Sequence, residues 1–196
     1  MSLIYYPNPI FKQKAEPVTH FDLTLTKNIH IMQAALNDHR AIGIGANMCG
    51  ILQRIIIVPS NDQAESTDKV IMINPQITDQ SDAKQNFLEA SLSLPGIEAM
   101  ITRPETITVT YQDTDQNHHE RTVSGFVATV IQHEIDYLNG VVYLDYLPKT
   151  KAKLLRDKMK KYLKKIQRHG NHSHHPAPHH NHDHHHHDGN CCDHKH

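Results

Sequence analysis

Cysteine is scarce and poorly placed for cross-linking: the 196-residue chain has 3, Cys49 alone in the body and Cys191 beside Cys192 near the end. That arrangement is no disulfide framework, so a reducing cytosol is the expected compartment. Long apolar runs are missing as well, and nothing approaches the roughly 18 residues a membrane helix needs. The opening residues, MSLIYYPNPIFKQK, lack a basic start followed by an apolar stretch, and Pro7 and Pro9 interrupt them early. They do not read as an export signal. Net charge is -1 with histidine neutral, which removes any global field favouring nucleic acid or membrane.

Histidine is in excess, with 19 in all and 13 of them from His169 onward. Residues 169–196 add Cys191, Cys192, Asp183, Asp188 and Asp193 to those imidazoles, among glycine, proline and asparagine. Such a segment buries too little apolar surface to fold alone and is expected to be a disordered tail. Imidazole at this density suits Zn, Ni, Cu or Co ions. The run His184, His185, His186, His187, with Cys191 and Cys192 close behind, offers overlapping sites rather than one fixed geometry. That pattern fits buffering, storage or delivery of metal, and its interruptions distinguish it from an affinity tag.

Residues 1–168 have the length and composition of one domain with one core. Apolar positions Leu25, Ile29, Met32 and Leu36 predict a helix from Leu23 to about His39, capped by Asp22 or Thr24. Runs rich in β-branched residues at 53–58 and 70–75 predict strands ending at Pro59 and Pro75. The segment 87–95, FLEASLSLP, is mixed. Ile107 to Tyr111 alternates as a strand and 112–119 reads as a polar turn. Residues 121–126 are either its partner strand or the lead-in to a helix. Val127, Val130, Ile131, Ile135 and Leu138 predict that helix, buried and stopped by Asn139-Gly140. A last helix, opening at Pro148 to Thr150 and running to about Gln167, is strongly basic, with Leu154, Leu155, Met159 and Leu163 as its buried side. The fold class expected is α+β, with antiparallel sheets around the helix that bears His133.

That central helix reads Gln132-His133-Glu134-Ile135-Asp136-Tyr137. An H-E-x-x-H helix sets two histidines one turn apart with a glutamate beside a bound metal, and Tyr137 breaks the pattern by one residue. The segment QHEIDYLNG resembles the third box of peptide deformylases, QHExDHLxG. EASLSLPG at 89–96 resembles the second, EGCLSxPG, and AIGIGANM at 41–48 followed by QRIIIV resembles the first, GxGxAAxQ and its strand. FKQKAEPV at 11–18 looks like the family's N-terminal segment, and order and spacing agree over about residues 4–168. The resemblance implies a peptide deformylase-like fold and removal of the formyl group from the N-terminal formyl-Met of nascent bacterial proteins. It implies a divalent metal, usually iron, held by the second-box cysteine and both third-box histidines, with a metal-bound water as nucleophile. By the same resemblance His133 is a ligand, Glu134 the proton shuttle, Leu92 a backbone N–H donor to the oxyanion, and Arg103 a substrate-side arginine.

The departures concentrate at the metal. Ser91 stands in the cysteine's place, Tyr137 in the second histidine's and Met48 in that of the oxyanion glutamine, while Ala41 and Ala90 replace glycines. Neutral hydroxyls are poor ligands beside thiolate and imidazole. Methionine donates no hydrogen bond, and losing one oxyanion donor costs ~10²–10³ in rate. The expectation is therefore a peptide deformylase-like protein lacking efficient activity, with its divalent metal (Zn, Ni, Co or Fe) mainly on the tail. Glu134 is expected to pair with Ser91 or Tyr137 across the former site, and Cys49 to pack as a small apolar residue. Two other readings stay open. One is an active hydrolase in which Ser91, Tyr137 or a tail histidine completes the coordination. The other is a metal-storage protein whose body is a carrier. Partners expected are metal ions, a nascent formyl-Met peptide and, through the basic last helix, the ribosome; no membrane is expected.

Overall fold

Asp22 accepts hydrogen bonds from the N–H groups of Thr24 (2.8 Å) and Leu25 (3.1 Å), so helix α1 begins at Leu23 and runs to Asp38. The cap satisfies donors that have no partner within the helix. Leu25, Ile29, Met32 and Leu36 are all buried, as their spacing predicts. The computed structural model describes residues 3–61 and 68–170. The tail expected to bind metal, with His184, His185, His186, His187, Cys191 and Cys192, lies outside the described residues.

Beyond α1 come β1 (Ile44–Gly45), a 3-10 turn at Ala46–Cys49, β2 (Ile55–Pro59), β3 (Lys69–Gln80), β4 (Lys84–Ser91), β5 (Leu94–Pro104), β6 (Thr106–Gln112) and β7 (His118–Ser124). Two helices follow, α2 (Gly125–Leu138) and α3 (Lys149–Gly170). All strand pairs are antiparallel: one sheet has the order β1-β2-β3-β6-β7, and β4-β5 form a separate hairpin. Among the described residues, no helix is long and apolar enough to cross a membrane.

The strand expected to end at Pro75 and the turn expected over 112–119 need correction, and two segments left open resolve. The strand begun near Val70 does not stop at Pro75 but continues to Gln80. Its pairing with β6 shifts between Ile73 and Gln76, and Asn74 there has φ +54°. A bulge removes the need for a ladder hydrogen bond at the proline, which is how proline enters a strand. Asn74 uses the kink to clamp the N-terminal segment, donating to the Val18 carbonyl (2.9 Å) and accepting from its N–H (2.8 Å). The mixed segment FLEASLSLP divides into the end of β4 and the start of β5, with Leu92 and Ser93 in the turn. Residues 121–124 belong to the partner strand β7, which begins at His118, within the expected polar turn, while Gly125 and Phe126 open α2.

β2 is buried on both faces, and its alternation divides the core. Ile55 and Ile57 belong to a cluster with α1, and Ile56 and Val58 to one with α2 and the main sheet. Each such side chain contributes about 1.5–3 kcal/mol by leaving water. α2 is likewise buried nearly all round. Val127, Ile131, Ile135 and Leu138 face Met72, Ile107 and Val109, while Tyr137 packs in the other cluster. Gly140, at φ +76°, ends α2, and a Cβ there would come within 3.0 Å of the Lys12 carbonyl oxygen. On α3, Met159 and Ala152 are buried and Leu155 and Leu163 pack against the core. Leu154 does not join them and stands 70% exposed.

Candidate active site

The β4–β5 hairpin, α2 and the turn after β1 converge on a cavity of about 310 Å³. β4 alternates, so Glu89 and Ser91 share one face of the strand. On α2, His133, Glu134 and Tyr137 are 7%, 4% and 0% exposed. His133 and Tyr137, one turn apart, lie with ring centroids 5.1 Å apart.

His133 Nδ1 is 2.7 Å from Glu89 Oε2, which leaves Nε2 as the ring nitrogen available to a ligand. Glu89 is also held by the Arg103 guanidinium, whose Nη2 lies 3.0 Å from Oε2. Arg103 Nη1 lies 2.7 Å from Asp136 Oδ2, and the Tyr146 hydroxyl donates to the same oxygen at 2.9 Å. Burial alone would raise the Glu89 pKa, but the His133 and Arg103 hydrogen bonds hold it below the usual carboxylate range. Arg103, which burial would discharge, is held more firmly charged by the Glu89 hydrogen bond and the nearby carboxylates. Arg103 is 3% exposed and does not line the cavity. Its expected place on the substrate side is corrected: it anchors the carboxylate that orients His133. Glu89, whose role the sequence reading left unassigned, is the hub of this network. The available signal was its carboxylate two residues before Ser91 on an alternating strand.

The Tyr137 hydroxyl donates to Ser91 Oγ at 2.8 Å, and the Ser93 N–H reaches the same oxygen at 3.3 Å. The tyrosine ring meets Phe11 edge-on at 5.6 Å. Burial pushes the Tyr137 phenol well above its ordinary pKa, against the Ser91 hydrogen bond, so both groups are neutral. Met48, 1% exposed, and Leu92 also line the cavity.

The pairing of Glu134 with Ser91 or Tyr137 expected from the sequence is not made, because those two hydroxyls bond each other. Among the described residues Glu134 Oε2 is buried without a hydrogen-bond partner, and it lies 3.3 Å from where a Cβ on Gly45 would sit. The absent methyl leaves the carboxylate room to lie against the β1 backbone. Burial pushes its pKa up to about 7, with the nearby Glu89 charge adding to the rise. The folded chain therefore holds this proton more tightly than the unfolded one. The resulting stabilisation is fully present below about pH 4.5 and is lost as pH rises through about 7. Glu134→Gln should flatten the stability profile over that window in urea titrations at stepped pH. A profile as steep as that of the native chain would assign the titration to another group.

A divalent transition metal needs deprotonated or imidazole donors. His133 qualifies, but Ser91 and Tyr137 offer neutral hydroxyls engaged with each other. Among the described residues, no three His, Cys, Asp or Glu side chains come together as a metal-holding group. The donor set at the three family positions does not fit the metal.

The likeness to known proteins spans most of the chain. A model of the polypeptide deformylase family matches residues 1–153. A "Peptide deformylase-like" protein of Rickettsia conorii is 46% identical over 172 residues, covering 88% of this chain and 92% of the relative. A peptide deformylase of Mesorhizobium japonicum is 35% identical over 162 residues, covering 83% and 92%. Among solved structures, a peptide deformylase from Legionella pneumophila superposes with TM-score 0.78 at 29% identity, covering 85% of this chain and 96% of that one. One from Ehrlichia chaffeensis gives TM-score 0.78 at 30% identity, covering 85% and 98%. With its three boxes brought around one cavity in a fold shared with these enzymes, the chain belongs to the peptide deformylase family.

Proposed function

We propose that this protein binds N-formylated methionyl ends in the cavity without hydrolysing them efficiently, and that residues 169–196 bind transition metals reversibly. The observation that carries the first part is the Tyr137–Ser91 hydrogen bond at 2.8 Å. It joins two of the family's three ligand positions through neutral hydroxyls. Met48 at the third altered position removes a donor to the oxyanion. What remains is a cavity with apolar walls, the Leu92 backbone and an oriented imidazole, a set suited to holding a ligand. The ligand class comes from the relatives, which are peptide deformylases. The basic α3 offers phosphate contacts on a ribosome, where nascent formylated chains emerge.

The test is hydrolysis of a formyl-Met peptide by the full chain supplied in turn with ferrous, nickel, cobalt and zinc ions. Turnover at background is expected, and robust turnover with any of them sinks the reading. Metal capacity should survive His133→Ala and fall when residues 169–196 are removed. The rival reading, an active hydrolase with altered ligands, is favoured by the bond that fixes His133 with Nε2 available. It requires turnover that His133→Ala abolishes.

A further inference from the structure

α1 and α2 end in the same hydrogen-bonded turn, with different residues at its left-handed position. After α2, the Gly140 N–H donates to the Tyr137 carbonyl at 3.1 Å and the Val141 N–H to the Asp136 carbonyl at 2.9 Å. After α1, the equivalent bonds run from Arg40 to Asn37 at 3.1 Å and from Ala41 to Leu36 at 2.9 Å. Arg40 takes glycine's part there, with φ +50°. Glycine enters this conformation without a steric penalty, whereas a residue with a Cβ is strained in it. The turn itself gains nothing from an arginine, and strain of this kind gathers where a side chain is needed in one place.

The place is the cavity. Arg40 and His39, both exposed, line it together with His133 and Ser91. Lys69 reaches the same rim, its Nζ donating to the Ile42 carbonyl at 2.9 Å. The only acidic side chains among the lining residues are Glu89 and Glu134. Glu89 is committed to Arg103 and His133, and Glu134 is buried. Among the described residues Arg40 makes no ion pair. The rest of the lining is largely apolar, with Met48 and Val130 buried and Phe87 and Phe126 nearer the surface. The cavity thus has a cationic mouth over an apolar interior, and its mouth carries a planar guanidinium suited to paired bonds with a carboxylate.

We infer that Arg40 is a specificity-determining residue that selects ligands bearing a carboxylate. The carboxylate is either the α-carboxylate of formyl-methionine itself or an acidic side chain at the next position of a formylated peptide. This rests on the reading that the cavity holds formylated methionyl ends. The apolar side chain lies against the walls, and the negative charge meets the guanidinium at the rim.

Titration calorimetry on the full chain tests it with four probes: formyl-Met free acid, formyl-Met amide, formyl-Met-Asp amide and formyl-Met-Asn amide. In at least one of the two pairs, the acidic probe should bind about tenfold more tightly than its neutral counterpart. The pair that shows the difference identifies which carboxylate is read. Arg40→Gln should abolish the preference and Arg40→Glu should reverse it. Arg40→Gly should abolish it too while raising the melting temperature, because glycine relieves the turn. Equal affinities within both pairs, unchanged by Arg40→Gln, overturn the role of Arg40 and leave the cavity reading standing. No binding of any of the four overturns the cavity reading and this inference with it.

Discussion

Making Ser91→Cys, Tyr137→His and Met48→Gln together should yield a chain that binds about one divalent metal ion. It should hydrolyse formyl-Met peptides at least ~10²–10³ faster than the native chain. The argument is local. A thiol beside a metal is deprotonated outright and imidazole is a strong donor, so two neutral hydroxyls give way to two real ligands. The third ligand needs no change, because His133 Nδ1 is already tied at 2.7 Å to Glu89. An outer carboxylate of this kind fixes the ring and raises its basicity toward a metal. Removing the Tyr137 hydroxyl also removes the group that sits 2.8 Å from position 91. Single substitutions should do far less, since Ser91→Cys alone leaves the tyrosine facing the thiol. Metal content by elemental analysis and turnover of a formyl-Met peptide are the measurements. A triple variant that folds and binds metal yet stays inactive would place the block elsewhere, with Glu134 against Gly45 the next suspect.

Arg103→Ala should destabilise the protein by about 3–5 kcal/mol, the range for breaking a buried ion pair by removing one partner. Glu89 and Arg103 side chains are both 4% exposed, and Asp136 is 18% exposed. Without the guanidinium, two carboxylates remain in a poorly solvated space, Glu89 bonded to His133 and Asp136 to the Tyr146 hydroxyl. At this chain length each kcal/mol moves the melting temperature by about 2–4 °C, so a fall on the order of 10 °C is expected in calorimetry. The double variant Glu89→Gln with Arg103→Met should recover part of the loss, because it leaves fewer unpaired buried charges. A melting temperature within about 2 °C of the native chain for Arg103→Ala would show that water reaches these carboxylates and that the network is not structural.

Much of this molecule was legible in the chain because its signals are local. Asp22 caps α1, apolar residues recur with helical period on α1 and α2, and Asn139-Gly140 stops α2. Each depends on neighbours within a turn. The three boxes carried the family, and their altered positions identified Ser91, Tyr137 and Met48. Where the sequence reading failed, the deciding contact was distant. Pro75 reads as a strand end, yet a bulge around Asn74, itself clamped to Val18, carries the strand on to Gln80. Leu154 fits the periodicity of α3 but points to solvent, because the hairpin that α3 packs on selects which stripe is covered.

The sequence by itself determined which side chains stand at the family's metal positions and that two of them are neutral hydroxyls. Composition and ligand chemistry suffice for that. Tertiary structure alone decided how they are used. Tyr137 bonds Ser91 across 46 positions, Glu89 turns from Arg103 to His133, Glu134 lies against Gly45, and Arg40 is held at the mouth by the turn that ends α1. Hydrogen bonds and burial act over a few ångströms in space, and separation along the chain does not encode those distances.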